Sequence, residues 1–189
     1  MFDRLGKWLA RPGVLAGGLA FLMAGVALTA LLLGGFHAFA DHTNRLEFCI
    51  SCHEMESGPY AEYAKSIHFN NRTGVRAECA DCHVPTAFGP KLVAKVVAAK
   101  DVYHSLMGTI DTKEKFEARR LQMAQRVWAQ MEATESQACR NCHDFRAMKL
   151  DEQGRRAQSK HPVARQEGKH CITCHKGIVH ELPQGYEGD

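Results

Sequence analysis

The sequence has no cysteine to spare: all eight fall in four regularly placed Cys-x-x-Cys pairs. A scaffold of disulfides, which draws on irregularly spaced cysteines, is therefore excluded. Net charge is also scarce, with a formal +3 over 189 residues, and that small basic balance is no signal of nucleic-acid binding. Charge is absent altogether between Gly13 and Phe36. No stretch of the chain offers a separate signalling domain.

What the chain does have is a histidine after every second cysteine. The four motifs are Cys49-Ile50-Ser51-Cys52-His53, Cys79-Ala80-Asp81-Cys82-His83, Cys139-Arg140-Asn141-Cys142-His143 and Cys171-Ile172-Thr173-Cys174-His175. Two thiols at this spacing form thioethers with both vinyl groups of one haem, and the adjacent imidazole is placed to bind its iron. Chance supplies roughly 0.02 such motifs in a chain of this composition. Structural zinc explains paired Cys-x-x-Cys knuckles but gives no reason for a histidine after each of them. The spacing therefore predicts four covalently attached haem c groups. Their eight propionates make the loaded protein acidic despite the basic polypeptide.

Four haems over residues 49 to 175 leave little polypeptide to enclose each one. The expected fold class is mainly α, with short helices and loops wrapped around haems that form much of the core, and almost no sheet. The motifs fall into two pairs, which predicts two dihaem units, 41–84 and 139–180, joined by a helical connector over 85–138. In the connector, apolar residues from Leu92 to Ile110 recur at helical spacing. A second helix is predicted from Lys113 to about Ala133, capped by Asp111 with Glu114 and carrying Phe116, Met123, Val127, Trp128 and Met131 as its stripe. The tail after His180 reads as a loose end.

The uncharged run from Gly13 to Phe36 reaches about 36 Å as a helix, enough to cross a lipid bilayer. Arg4, Lys7 and Arg11 precede it, so 1–12 is expected in the cytoplasm, 13–36 in the membrane and 41–189 in the periplasm. A cleaved signal peptide is the competing reading, since Ala38-Phe39-Ala40 has the form of a cleavage site. The apolar run is longer than such peptides carry, which favours a retained anchor. Gly13 and Gly17 stand in GxxxG spacing, read either as a homodimer contact or as ordinary glycine use in a single span.

The iron ligands are open to counting. His53, His83, His143 and His175 each supply one, and seven histidines remain: His37, His42, His68, His104, His161, His170 and His180. His180 is too close in sequence to His175 to reach the other face of the same iron, so as a ligand it serves another haem. Met55, two residues beyond His53, is either a packing residue or the ligand that replaces it. Lys95, Lys100, Asp101 and His104 interrupt the first connector helix and form either its solvated face or a site of chemistry other than haem.

The single span, the four motifs, Cys49 to Met55 as CxxCHxM, the segment Lys95-Val96-Val97-Ala98-Ala99-Lys100-Asp101, the run Gly108-Thr109-Ile110-Asp111 and the close Cys171 to His180 together resemble the NapC/NirT/NrfH family of membrane-anchored quinol dehydrogenases, nearest its NapC and NirT branch. The resemblance implies that electrons pass from a membrane quinol, menaquinol or ubiquinol, to a periplasmic nitrate or nitrite reductase or another cytochrome acceptor. It implies that Met55 can bind the first haem iron and that Asp101 lies over the other face as the base, with Lys95 nearby. It also supports His68, His161 and His180 as distal ligands. His104 departs from the pattern, since several relatives have glycine there. The rival readings are a terminal haem reductase of a small nitrogen oxyanion and a membrane-tethered haem sensor. The anchor favours contact with quinol over both.

Overall fold

The structure, a computed structural model, describes residues 12–188; Arg4, Lys7 and Arg11, on which the expected orientation rests, lie outside them. Helix α1 is Pro12–His42. It continues six residues beyond Phe36 and ends where Thr43 donates its hydroxyl to the carbonyls of Phe39, at 2.9 Å, and Ala40, at 3.2 Å. Its leucines and Phe21 are exposed. The helix is long and apolar enough to cross a membrane.

Residues 44–188 form a second unit. It is helical and irregular, with no strand among the described residues, in agreement with the expected class. Its longest elements are α2 (Phe88–Leu106), α3 (Lys113–Ala133) and α4 (Arg155–Gln166). In α3 the stripe of Phe116, Met123, Val127, Trp128 and Met131 is half-buried, as its periodicity predicts. The cap differs from the expected one. Thr112 is the N-cap and accepts the Lys115 N–H at 3.3 Å, while Asp111 is engaged by the Lys115 ammonium at 2.7 Å. Helix α2 starts at Phe88, before the apolar spacing that begins at Leu92. On it Val93, Val96, Val97 and Leu106 are exposed, whereas Lys95 and His104 are half-buried. Lys95 and His104 thus do not belong to a solvated face.

The polypeptide alone buries few apolar side chains in this unit; Tyr63, Ile172 and Pro183 are the ones below the surface among the described residues. Polar ties take over part of the work. Glu62 is met by both ends of the Arg120 guanidinium, at 2.7 and 2.6 Å, and by the backbone N–H of Glu181 at 2.9 Å. Burial alone raises the Glu62 pKa, but the Arg120 hydrogen bonds, the Glu181 N–H and the Arg120 charge outweigh it and hold the carboxyl below its ordinary value. Arg120 also donates to the Glu181 carbonyl at 2.7 Å. Tyr186 then packs on Trp128 with ring centroids 4.9 Å apart, and Pro183 is buried. The tail is therefore docked on α3, not a loose end, because its backbone and one aromatic ring find partners there.

Chain direction changes at Glu135 and Ser136, which adopt φ of 51° and 53°. The second of these is fully buried, and its hydroxyl accepts the Ile172 N–H at 3.1 Å. A left-handed pair without glycine is held here by the bond it makes to the fourth motif.

Removing Arg120 leaves the Glu62 carboxylate buried without its cation. Arg120→Met is expected to lower unfolding stability by about 3 kcal/mol. Adding Glu62→Leu should restore part of that loss, as a double-mutant cycle by thermal denaturation will read.

Candidate functional site

Three of the four motif histidines face another imidazole. His83 lies opposite His180 with ring centroids 6.3 Å apart, His143 opposite His68 at 6.2 Å, and His175 opposite His161 at 6.0 Å. A metal–imidazole bond of about 2.0 Å plus about 1.1 Å from nitrogen to ring centre, taken on both sides, comes to about 6.2 Å. One metal ion therefore fits between the rings of each pair. The residues fit the group that the motifs call for, and the count of reserve histidines is matched to partners: His68, His161 and His180 each take one.

The motifs follow one another in space in the order of the sequence. Cys49 is within hydrogen-bonding reach of Cys79, and Cys139 of Cys171. Between these pairs, the Cys79–His83 turn packs on Gln137–Arg140. None of the eight cysteines is in a disulfide. Each motif turn is short, and the second is fixed by a capping box in which Glu78 and Asp81 exchange side-chain and backbone bonds. Where the second and third motifs meet, Asn44, Asp81, Pro85, Lys91, Asn141 and Cys142 are among the residues that line a cleft of about 220 Å³.

The supporting contacts decide which imidazole nitrogen points inward. The Nδ1 of His161 is 2.6 Å from the Gln153 side-chain oxygen. That oxygen only accepts, so Nδ1 is the donor and Nε2 is left for a metal. His180 presents Nδ1 to Glu62 at 3.8 Å, beyond direct hydrogen bonding but within range of its charge. No partner for the Nδ1 of His68 is found among the described residues.

The first motif is built differently. His53 places Nε2 2.6 Å from the backbone carbonyl of Asp111, and Nδ1 3.1 Å from the buried carboxylate of Glu54. A carbonyl can only accept, so Nε2 is protonated and donating. His53 Nε2 thus has a partner other than a metal, and Nδ1 has the Glu54 carboxylate beside it. The Gly108 to Asp111 run that supplies the carbonyl is pinned on several sides: His104 is 2.9 Å from the Thr109 hydroxyl, Lys115 donates to the Gly108 carbonyl at 2.8 Å, and Arg119 to that of Thr109. His104 is engaged in this turn, a role its sequence position did not indicate. The Lys115 hydrogen bond also keeps the Asp111 carboxyl below its usual pKa.

Lys95 and Asp101 stand on α2, six residues and thus about 120° apart around the helix. Lys95 is half-buried near Cys49, and burial first of all lowers its pKa below the ordinary lysine value, which makes its ammonium a readier proton donor. Asp101 is exposed. Residues that sequence reasoning missed are Glu62, Gln153 and the Asp111 carbonyl. Each acts through a histidine, and only the Asp111 segment carried a motif.

Residues 13–185 match the NapC/NirT cytochrome c family, N-terminal region. The chain is 48% identical over 183 residues to the cytochrome c-type protein NapC of Escherichia coli K12, covering 97% of this chain and 91% of that one. It is 46% identical over 196 residues to the denitrification system component NirT of Stutzerimonas stutzeri, covering 98% and 96%. A putative tetraheme cytochrome of Allochromatium vinosum is 57% identical over 141 residues, 75% of this chain and 76% of that one. No solved structure matches the chain significantly.

Gly108 adopts φ of +64°, and a Cβ there would lie 3.1 Å from an Asp111 carboxylate oxygen. Gly108→Ala is expected to cost about 1 to 2 kcal/mol through the left-handed backbone. Thermal unfolding of the loaded protein checks it.

Proposed function

Because the chain belongs to the NapC/NirT cytochrome c family, we propose that it takes electrons from a membrane quinol and passes them, through four covalently bound haem c groups, to a periplasmic nitrate or nitrite reductase. The observation that carries the reading is the separation of the three imidazole pairs, 6.0 to 6.3 Å. Histidine on both faces leaves no open position for a substrate, which favours electron transfer over reduction of a small molecule at those three sites.

When bound, each haem supplies a one-electron iron couple. The chain's residues would hold the groups as follows. His83 and His180 serve the second motif, His143 and His68 the third, and His175 and His161 the fourth. At the first motif His53 Nε2 is committed to the Asp111 carbonyl, so the Met55 thioether would hold the iron there. Helix α1 anchors the chain in the bilayer. The cations before it favour the cytoplasmic side, with residues 44–188 in the periplasm.

A quinol gives up two protons with its two electrons, so its site needs a base. The Asp101 carboxylate is that base, exposed and able to return each proton to water. Lys95 donates a hydrogen bond to the quinol oxygen, and its partial burial strengthens that bond.

Two sets of substitutions test the assignment in the full-length, haem-loaded protein. Asp101→Asn keeps the size of the side chain but removes the base, so quinol-driven reduction should fall roughly a hundredfold, while dithionite still reduces every haem. Lys95→Gln should weaken binding or turnover by about 1.5 to 3 kcal/mol. Parental rates in both variants would overturn the quinol site. Replacing His68, His161 or His180 singly should convert about one haem to high spin by electron paramagnetic resonance. An unchanged spectrum in all three would overturn the ligand pairs.

A further inference from the structure

The positive charge of the chain is concentrated at one end of the motif series. Between Arg140 and Lys176 there are nine cations and four acids, an excess of five; the rest of the chain has fifteen cations and seventeen acids. Three of those four acids are neutralised by a neighbour: Asp144 by Arg146, Glu152 by Lys149 and Glu167 by Lys169. The fourth is Asp151, an exposed residue outside α4. Helix α4 itself carries Arg155, Arg156, Lys160 and Arg165 and no acid at all.

The helix sorts these groups by face. At 100° per residue, Arg156, Lys160 and Val163 share one side, and Ala157, His161 and Ala164 share another about 100° around. Exposure agrees, with the first three open, Val163 at 46%, and the second three half-buried. Arg165 falls toward the His161 side and lies over the Phe145 ring at 5.3 Å. The open face therefore sets an arginine and a lysine beside one exposed apolar side chain, with no acid on the helix to offset them. It also adjoins the last imidazole pair, because His161, about 100° around the same helix, faces His175. An acceptor on this face lies within about one helix diameter of that pair, roughly 10 Å.

We propose that the outward face of α4, built on Arg156, Lys160 and Val163, is where the electron acceptor docks, and that the acceptor presents an acidic surface there. The proposal rests on the electron-transfer reading above. In each event one electron leaves the chain, oxidising one iron from ferrous to ferric, and the acceptor is reduced by one electron.

The test uses full-length protein with its haems, reduced by dithionite and freed of excess reductant. Reoxidation is followed by stopped flow with two inorganic probes, the trianion hexacyanoferrate(III) and the trication tris(phenanthroline)cobalt(III), at low and high salt. Poly-L-glutamate is added as a macromolecular competitor. Arg156→Glu/Lys160→Glu is compared with Arg72→Glu/Lys113→Glu, which changes net charge equally elsewhere. The patch variant should lose at least about fivefold in rate with the anion at low salt, gain rate with the cation, and no longer be slowed by poly-L-glutamate. Equal behaviour of the two variants would overturn the proposal. Quinol-driven reduction, measured separately, should stay at the parental rate in the patch variant. Its absence in the parent would sink the quinol reading, while the reoxidation comparison would still decide the docking face.

Discussion

Two imidazole pairs, His83 with His180 and His143 with His68, tie the beginning of residues 44–188 to their end. Each partner comes from the opposite half of the sequence, across 97 and 75 residues respectively. The halves are therefore not two independent units placed side by side. The docking of the tail on α3, the bidentate contact of Arg120 with Glu62 and the turn at Ser136 all keep these distant histidines in register with their partners. Loop-closure entropy over such separations is several kcal/mol, and the polypeptide offers little buried apolar surface to offset it. The metal–ligand bonds that fit between the rings are the natural source of that stabilisation.

The first motif follows a different rule from the others. In the second to fourth motifs the histidine after the cysteines looks across at another ring; in the first it donates to a backbone carbonyl, with the buried carboxylate of Glu54 beside it. The contrast arises from one adjacent turn, Gly108 to Asp111, whose glycine permits the tight backbone and whose carbonyls and side chains are gathered by Lys115, Arg119 and His104. A conformational constraint in the connector thus reaches a residue 58 positions away, at the end of the relay where quinol is proposed to enter.

Much of this was legible in the sequence because it is local. The four motifs, the run of α1 and the stripe of α3 are patterns of three to seven residues or simple absences of charge. The histidine partners were readable as a reserve but not as pairs, since a contact over 97 residues leaves no periodicity. Helix α2 shows a further limit: spacing locates an apolar stripe but not what lies beyond it, so it could not say that Lys95 and His104 are half-buried while the valines are exposed. The cap at Thr112 and the docked tail escaped because single hydrogen bonds to Lys115 and Glu62 decide them.

The crossing of the halves has a consequence for biogenesis. On the proposed ligand pairs, a chain delivered across a membrane from its N-terminus would expose His83 well before His180, so a haem attached at the second motif would wait for its second imidazole. His68 in turn would wait for the third motif. Closure of these two sites would then be completed by the parts of the chain that arrive late.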